Sequence, residues 1–425
     1  MTLNRATVVV VSAGYPGKRR IYEHIAALGA RIVVLDEAGH WSERLVDEGV
    51  ASDWIAVRVT GDADEDAAAV VEALSLKGIR PDAVLTYWET SGPVAARVAA
   101  ALDLPGNPVE AVDLARSKLR TREASERAGL PTPASRRVQS LDELYAAAEE
   151  VGFPAVVKPE FGHSAVGCVR VDSFESLPDI YWIVRKELET TDIVDLRAGN
   201  DLALEEYLDG VEFDVDLVLE DGECVFTSVS QQSPTAEPAF QETGLHCPPD
   251  HSAKQVRRLV ELSVRTVQAF GFLQGVMHVE GKCTSKGPRI VEVNARMGGG
   301  RIHQIVDAVW GVDLIEAQLR SALGLPLQLM PSRKPRCAVV NTLVYAPATG
   351  RLEALSFTEV SAEADPGLII DVSAEVGQEV HGPDRLFSTV LADVYVGAKN
   401  LRHGRSLVAE VLRDPPVVVP LGRRV

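Results

Sequence analysis

Three polar side chains alternate along one short segment of the sequence. The segment is RIVEVNARMGGGR (Arg289–Arg301), and its isoleucine and valines are typical of a β-strand. Glu292, Asn294 and Arg296 occupy every second position, so they would project from one face of that strand. Carboxylate and amide oxygens suit Mg²⁺, whereas a guanidinium suits a phosphate or a carboxylate. The pattern therefore favours a metal site next to an anion.

A second apolar run lies just upstream and ends in another acid. Gly275–Glu280 (GVMHVE) is predicted to be a strand, and Gly281–Pro288, which contains glycines and a proline, is predicted to be a hairpin loop. Pairing of the two strands would bring Glu280 beside Glu292, which predicts a site for one or two Mg²⁺ ions. The alternative is a cross-strand charge cluster on a solvated face. That alternative explains neither Asn294 nor the glycine run that follows.

A lysine and a loop with glycines follow another predicted strand. In AVVKPEFGHSAVGCV (Ala155–Val169), Lys158 ends the strand, and Gly162 and Gly167 enclose small residues. Glycines let backbone N–H groups approach an anion closely, so the loop and its lysine suit a phosphate. The loop is not a Walker A motif, because GxxxxGK[ST] is absent. The alternative is a hairpin with a surface lysine.

Acids cluster on a third apolar segment, ALEEYLDGVE (Ala203–Glu212). Glu205 and Glu212 can accept hydrogen bonds from an adenine amino group or from ribose hydroxyls. Tyr207 and the flanking leucines can sandwich a flat base. The alternative is an edge strand that its charges keep soluble.

Composition narrows the class of protein. The 425 residues are 46% hydrophobic and 24% charged, which is the range of globular proteins. A net charge of −18 argues against nucleic acid or an anionic membrane surface as partner, since both require cationic patches. The five cysteines form no CxxC pair, and no apolar stretch approaches about 20 residues. We therefore expect a soluble, cytoplasmic protein without a membrane span.

The order of predicted elements indicates an α/β domain that is followed by mixed and β-rich regions. The first part alternates strands and helices, which favours a parallel sheet. A dinucleotide-binding layout is the weaker interpretation there, because only Gly14 and Gly17 of a GxGxxG motif are present before Asp36. Further along, Leu114–Ala128 and Arg301–Leu323 are predicted to be single helices, and the region after residue 335 is predicted to be rich in strands.

Taken in order, these motifs resemble the ATP-grasp superfamily. The resemblance covers about residues 1–325, and its signature lies at 110–310. The nearest likeness is to carboxylate–amine ligases of the L-amino-acid ligase and carnosine-synthase-like branch, because QETGLHCP (Gln241–Pro248) and NARMGGG are similar to that branch. The resemblance implies an α/β and α+β fold. Its parts would be a pre-ATP-grasp parallel-sheet domain (1–110), a lobe with a glycine-rich flap (111–204), a lobe with the Mg²⁺ site (205–328) and a β-rich C-terminal domain (329–425).

The resemblance also implies a role for each site residue. ATP would be bound by Lys118, Lys158, His163, Ser164, Gly167, Glu205, Tyr207, Leu208 and Glu212, with the lysines on the phosphates and Glu212 on the ribose. Mg²⁺ or Mn²⁺ would be bound by Glu280, Glu292 and Asn294. Arg296 would hold the transferring phosphoryl group, and the substrates would contact Glu89, Glu242, Gly298, Gly299 and Arg301. His246 would orient or deprotonate the amine, or it is a loop histidine without a role.

The activity that the resemblance implies is the ligation of an amino acid carboxylate to an amine through an acyl phosphate, with release of ADP and phosphate. No side-chain nucleophile is needed, and cationic groups with Mg²⁺ would neutralise the meeting anions. Two alternatives stay open: a biotin-carboxylase-like or purine-pathway carboxylase, and a non-catalytic nucleotide-binding regulator. The expected partners are small carboxylate and amine substrates, and the family implies a homodimer.

Overall fold

The described part of the chain forms four β-sheets. A computed structural model describes residues 3–162, 165–190, 201–358, 367–385 and 387–420. His163 and Ser164, which are predicted to belong to the phosphate flap, lie outside the described residues. No described helix combines the length and the apolar character that crossing a membrane requires.

The first sheet is the predicted parallel α/β layer. Its elements are β1 (Thr7–Val11), α1 (Arg19–Ala27), β2 (Arg31–Asp36), α2 (Arg44–Asp47), β3 (Asp53–Ala56), α3 (Ala63–Leu76), β4 (Ala83–Leu85) and α4 (Gly92–Ala101). The strand order is β3-β2-β1-β4, and all pairs are parallel. Asp36 accepts hydrogen bonds from the backbone N–H groups of Ala13 and Glu37, so it fixes the loop after β1. That engagement disfavours the dinucleotide interpretation, which needs a free acid.

A second, antiparallel sheet follows two helices. Its elements are α5 (Val109–Arg116), α6 (Lys118–Arg127), β5 (Ser135–Val138), α7 (Leu141–Val151), β6 (Ala155–Pro159), β7 (Val169–Val171), α8 (Leu177–Thr190) and β8 (Leu202–Glu206). The strand order is β5-β8-β6-β7. The prediction of a single helix for Leu114–Ala128 is wrong, because the helix is interrupted at Ser117, between α5 and α6. The Ser117 hydroxyl then caps α6 by accepting a hydrogen bond from the Arg120 N–H at 3.1 Å.

The largest sheet has eight antiparallel strands. Its strands and the accompanying helices are β9 (Val211–Glu220), β10 (Glu223–Gln232), β11 (Gly244–Cys247), α9 (Ala253–Ala269), β12 (Gly275–Thr284), β13 (Gly287–Asn294), α10 (Ile302–Trp310), α11 (Leu314–Ala322), β14 (Ala338–Tyr345), β16 (Leu368–Val372), β18 (Val390–Ala398) and α12 (Leu401–Val411). The order is β13-β12-β9-β10-β11-β14-β18-β16. A separate small sheet consists of β15 (Gly350–Ala354), β17 (Glu379–Val380) and β19 (Val417–Val419). The predicted β-rich C-terminal part is confirmed, and three of its strands, β14, β16 and β18, extend the eight-stranded sheet. The domain boundaries stay predictions.

Two further predictions of local structure are corrected. The hairpin loop predicted for Gly281–Pro288 is much shorter, because β12 continues to Thr284 and β13 begins at Gly287. The helix predicted for Arg301–Leu323 is divided at Gly311, which adopts a left-handed conformation with a φ of 71°. Asp313 then caps α11 by accepting a hydrogen bond from the Glu316 N–H at 2.9 Å.

Candidate active site

The β12–β13 hairpin has the register that the metal prediction requires. Glu280 lies opposite Glu292, and His278 lies opposite Asn294. The Asn294 Nδ2 atom lies 3.4 Å from Glu280 Oε1. Burial, followed by repulsion from Glu292, raises the pKa of Glu280 well above its ordinary value. A nearby cation would relieve that repulsion and favour the carboxylate form.

Lys118 reaches Glu292 from the start of α6. Its Nζ lies 2.8 Å from Glu292 Oε1 and 3.3 Å from the carbonyl oxygen of Gly162. Burial opposes the charge of both groups, but their mutual attraction raises the pKa of Lys118 and lowers the pKa of Glu292. The break at Ser117 therefore positions a buried ammonium directly on Glu292, one of the three predicted metal ligands.

Lys158 belongs to a second buried ion cluster. Its Nζ lies 2.5 Å from Glu205 Oε2, and the Arg122 guanidinium lies 3.0 Å and 3.1 Å from the two oxygens of the same carboxylate. Although burial alone would raise it, Arg122 and Lys158 lower the pKa of Glu205 to about 2. Both oxygens are thus engaged by cations. The carboxylate thereby positions Lys158 and Arg122, and the contact of Glu205 with adenine stays a prediction.

These residues line a cavity with about 990 Å³ of empty space, hereafter the first cavity. Gly167, with a φ of +74°, lies between the lining residues Val166 and Cys168. The members of the predicted ATP and metal sets that line the cavity are Lys118, Lys158, Glu205, Tyr207, Leu208, Glu212, Glu280 and Glu292.

Tyr207 is held in place at one end of the first cavity. Its hydroxyl donates a hydrogen bond to Glu237 Oε1 at 2.7 Å, and the Arg170 guanidinium lies 4.5 Å from its ring centroid. Lys282 lies 3.4 Å from Glu212 Oε2 on the adjacent strand. A fixed aromatic ring beside an acid and a lysine is a wall that suits a flat, polar ligand.

A second cavity, with about 1,750 Å³ of empty space, adjoins the first. The residues that line both cavities are Gln232, Glu242 and Glu280. The predicted catalytic and substrate residues that line the second cavity are Arg296, Glu89, Glu242, Gly299 and Arg301. Strands β14 and β18 add Asn341, Tyr345 and Asp393 to its wall. Molecules in the two cavities would therefore meet beside Glu280.

Arg296 faces the second cavity from a buried ion cluster. Its Nε pairs with Glu89, and its Nη1 donates a hydrogen bond to the carbonyl oxygen of Met297 at 2.9 Å. The Arg116 guanidinium lies 3.8 Å from the other oxygen of Glu89. One carboxylate thus balances two guanidiniums, which leaves a positive charge for an incoming anion.

The glycine run after Arg296 divides into packing and cavity positions. A Cβ on Gly298 would lie 2.7 Å from His278 Nδ1, so Gly298 permits close packing there, and its substrate contact stays a prediction. Gly299 lines the second cavity. Arg301 also lines it, but its guanidinium pairs with Asp393 at 3.1 Å and with Asp371. Arg301 therefore connects the site to the C-terminal strands.

His246 is turned away from both cavities, which corrects its predicted role as the base. It lies on β11 next to Leu245, which lines the second cavity, and successive side chains of a strand face opposite ways. Its Nε2 lies 3.3 Å from Asp250 Oδ1 and 3.4 Å from Arg405 Nη2. Burial lowers the pKa of His246.

Sequence reasoning misses a buried cluster of a histidine and two aspartates beside Glu280. His278 Nδ1 lies 2.9 Å from Asp216 Oδ1, and its Nε2 lies 3.7 Å from Glu280 Oε1. Although burial would lower it, Asp216 raises the pKa of His278 to about 10, whereas burial raises the pKa of Asp214 to about 7. The available signal was alternation: FDVDL and MHVE place polar groups on one face of otherwise apolar strands.

Comparisons with known proteins identify relatives of this chain. The family model "ATP-grasp N-terminal domain" matches residues 22–106, and the model "ATP-grasp domain" matches residues 151–304. Carnosine synthase 1 of Gallus gallus is 36% identical over 357 residues, which cover 81% of this chain and 38% of that protein. The L-arginine-specific L-amino acid ligase of Bacillus subtilis is 26% identical over 193 residues, which cover 45% of each protein. This chain thus spans less than half of the length of either relative.

A solved structure extends the likeness to nearly the whole chain. The L-amino acid ligase of Bacillus licheniformis superposes with a TM-score of 0.80 at 20% identity, covering 99% of this chain and 100% of that one. At this identity the likeness shows the fold, which has the N-terminal parallel sheet and the β-rich C-terminal part described above. The chain therefore contains ATP-grasp domains at residues 22–106 and 151–304, and carnosine synthases and L-amino acid ligases are its homologues.

Proposed function

We propose that this chain is an ATP-dependent ligase that joins the carboxylate of an amino acid to an amine. The observation that carries the proposal is the junction of the two cavities at Gln232, Glu242 and Glu280. The first cavity has the buried cations that a triphosphate requires, and the second has a guanidinium for a carboxylate. The homologues include a carnosine synthase and an amino acid ligase, whose names indicate the same reaction class.

In this proposal the nucleotide occupies the first cavity. Lys118 and Lys158 bind its phosphates, Tyr207 and Leu208 contact the base, and Glu212 binds the ribose. Gly167 belongs to the flap over the phosphates. The phosphates would replace carboxylates as partners of the two lysines, which lie 2.8 Å from Glu292 and 2.5 Å from Glu205.

The donor set on the hairpin fits a divalent ion that is shared with the nucleotide. Among the described residues, no group of three or more His, Cys, Asp or Glu side chains is arranged as a metal site. Glu280, Glu292 and Asn294 offer two carboxylates and an amide, and Mg²⁺ commonly binds one or two carboxylates together with substrate phosphates. Burial and repulsion from Glu292 raise the pKa of Glu280, and a bound cation would oppose that shift. When bound, Mg²⁺ or Mn²⁺ would neutralise charge on the phosphate oxygens.

The proposed reaction has two steps. A carboxylate oxygen attacks the γ-phosphorus of ATP, the bond to ADP breaks, and an acyl phosphate forms. The amine nitrogen then attacks the acyl carbon, phosphate leaves, and the amine loses a proton. Arg296 holds the transferring phosphoryl group, since its guanidinium faces the second cavity beside Glu280. The acyl phosphate must be protected from water, which suits enclosure between the lobes.

A phosphate-release screen tests this proposal. The full chain is incubated with ATP, Mg²⁺ and pairs of amino acids, and products are identified by mass spectrometry. We expect ADP, phosphate and an amide in equal amounts, and Glu292→Gln, which removes a metal ligand, should release neither ADP nor phosphate. Bicarbonate-dependent ADP release without an amide would identify a carboxylase instead. ATP binding without any phosphate release would identify a nucleotide-binding regulator.

The proposal also covers the oligomeric state and the cellular location of the protein. We infer a cytoplasmic homodimer from the family resemblance and from the cysteine usage. Light scattering of the purified chain would give the mass of the assembly, and a monomeric mass at micromolar concentration would contradict the dimer.

A further inference from the structure

The loop after β1 places a buried lysine on the wall of the second cavity. Lys18 is 7% exposed and lines that cavity together with Tyr15 and Trp88. Its Nζ lies 5.5 Å from the ring centroid of Tyr15 and 5.9 Å from that of Trp88. In the part of the chain that the structure describes, no carboxylate comes within 4.0 Å of this ammonium.

Lys18 differs in this respect from the other described lysines and arginines that line the two cavities. Each of those has a carboxylate partner; they are Lys118, Lys158, Lys282, Arg122, Arg296 and Arg301. Burying an ammonium without an acid is unfavourable, and two aromatic rings offset only part of that cost. An anion that enters the cavity would supply a negative partner for the Lys18 ammonium, so the arrangement suits an anion-binding site.

The position of Lys18 identifies the kind of anion. Lys18 lines the second cavity only, whereas the phosphate-binding lysines Lys118 and Lys158 line the first. The carboxylate to be phosphorylated must approach Glu280, which borders both cavities. An anion at Lys18 therefore belongs to a group that is not activated, and in a ligation the remaining acid is the amine substrate's own carboxylate.

We propose that Lys18 binds the free carboxylate of the amine-bearing substrate, so that this substrate is an amino acid and not a simple amine. The assignment rests on the proposed ligase function for its chemistry, and on the burial and cavity position of Lys18 for its location. The rings of Tyr15 and Trp88 lie beside the ammonium. Lys18 is thereby a specificity-determining residue contributed by the N-terminal sheet.

Binding of paired probes tests the assignment without turnover. Calorimetry with ADP and Mg²⁺ present compares the common L-amino acids with their α-amides, in which the carboxylate is neutral. At least one acid should bind the unaltered protein about tenfold to a hundredfold more tightly than its amide, as a charge-assisted hydrogen bond predicts. Lys18→Met, which keeps the apolar stem, should abolish this preference, whereas Lys18→Arg should retain it. Lys77→Met, at an exposed lysine of the same sheet domain, should leave it unchanged.

The outcomes separate this assignment from the proposed function. An acid preference that survives Lys18→Met in a folded variant, as judged by circular dichroism, overturns the role of Lys18, and so does the absence of any preference in the unaltered protein. The same solutions are assayed for ADP release with each acid and amide as acceptor. ADP release with a preference indifferent to Lys18 leaves the ligase standing and removes this assignment. A Lys18-dependent preference without ADP release leaves Lys18 as a carboxylate-binding residue and overturns the ligase function.

Discussion

Buried cations and carboxylates neutralise one another residue by residue in the first cavity. Lys118 pairs with Glu292, and Lys158 and Arg122 share Glu205. An incoming triphosphate would take over the lysines, which would free Glu292 for a metal ion. The same pairs thus keep the empty site folded and supply ligands to the filled one, since a buried charge without a partner is unfavourable.

Arg296 tests the division between nucleotide binding and chemistry. Arg296→Ala should lower kcat for ADP release by about a hundredfold or more, because charge stabilisation at the transferring group is lost. The Kd for ATP should change little, since Arg296 lines the second cavity and not the first. Steady-state kinetics and calorimetry measure the two quantities, with the exposed Arg413→Ala as control. Equal losses of turnover and of ATP affinity would assign Arg296 another role.

Glu205 tests the buried ion cluster. Glu205→Gln should lower the free energy of unfolding by about 3–5 kcal/mol, because it leaves Lys158 and Arg122 buried without a carboxylate. The adjacent Glu206→Gln is the matched control: Glu206 pairs with Lys286, whose side chain is 70% exposed, so its loss should cost at most about 1 kcal/mol. Urea denaturation measures both. A Glu205→Gln variant as stable as Glu206→Gln would show that the cluster contributes nothing net.

Lys18 predicts a pH dependence. Burial, followed by repulsion from Arg296 and opposed by Glu89, lowers the pKa of Lys18 to about 8. The ammonium is therefore charged below pH 8 and is lost as the pH rises through that value. The preference for an amino acid over its amide should decline between pH 7 and pH 9 in the unaltered protein, because Lys18 supplies the charge.

Lys18→Arg controls for the titration of the ligand itself. A guanidinium stays charged over this range, so the preference of Lys18→Arg should be flat apart from effects common to both proteins. Calorimetry at pH 7, 8 and 9 gives the ratio between the two. A ratio independent of pH would exclude Lys18 as the titrating group.

At the level of the elements, sequence periodicity predicted correctly that Glu280 and Glu292 lie opposite each other on paired strands. Alternation in VEVNAR and GVMHVE predicted which side chains share a face, and the pairing of β12 with β13 brought the two sets of side chains together. The break at Ser117 could not be predicted, because Leu114–Ala128 reads as one helix. A tertiary contact stabilises the break: the Ser117 hydroxyl lies 2.5 Å from Oε1 of Glu160, which directly follows β6.

Partners distant in the chain were equally hidden from the sequence. Arg122 and Glu205 are separated by 83 positions, so nothing local showed that the acid of EEYL was already engaged. His246 failed for a related reason. The motif QETGLHCP gave its position but not the face of β11 on which it lies, which depends on the pairing of β11 with β10 and β14.

Gly210 tests how closely β9 and the hairpin approach each other. Its φ is +87°, and a Cβ there would lie 2.2 Å from the carbonyl oxygen of Cys283. Gly210→Ala should therefore lower the free energy of unfolding by about 1–3 kcal/mol more than Gly78→Ala. Gly78 also has a positive φ, of +66°, but has no atom within 4 Å of its Cβ position. Urea denaturation of both variants decides the matter, and equal costs would mean that the approach is looser than described.

For the whole molecule, the C-terminal strands complete the second cavity. No sequence motif after residue 335 suggested a part in the site, yet Asn341, Tyr345 and Asp393 line that cavity. Arg301 ties the region to the glycine run through Asp371 and Asp393. The wall of the second cavity thus comes from several separate parts of the chain, among them the loop after β1, the hairpin and the C-terminal strands. Such a pocket is formed by tertiary structure, which explains why the substrates could not be named from motifs.

Filling the second cavity from the C-terminal side tests this division of labour. Val390 lines the second cavity and not the first, so Val390→Trp should raise KM for the amino acid substrates at least about tenfold by excluding them. The Kd for ATP should stay within about twofold, because the nucleotide occupies the other cavity. Val372→Trp is the matched control: Val372 lies on β16 of the same sheet and is 56% exposed. Loss of ATP affinity together with substrate affinity in a folded Val390→Trp variant would show that the two cavities do not bind their ligands independently.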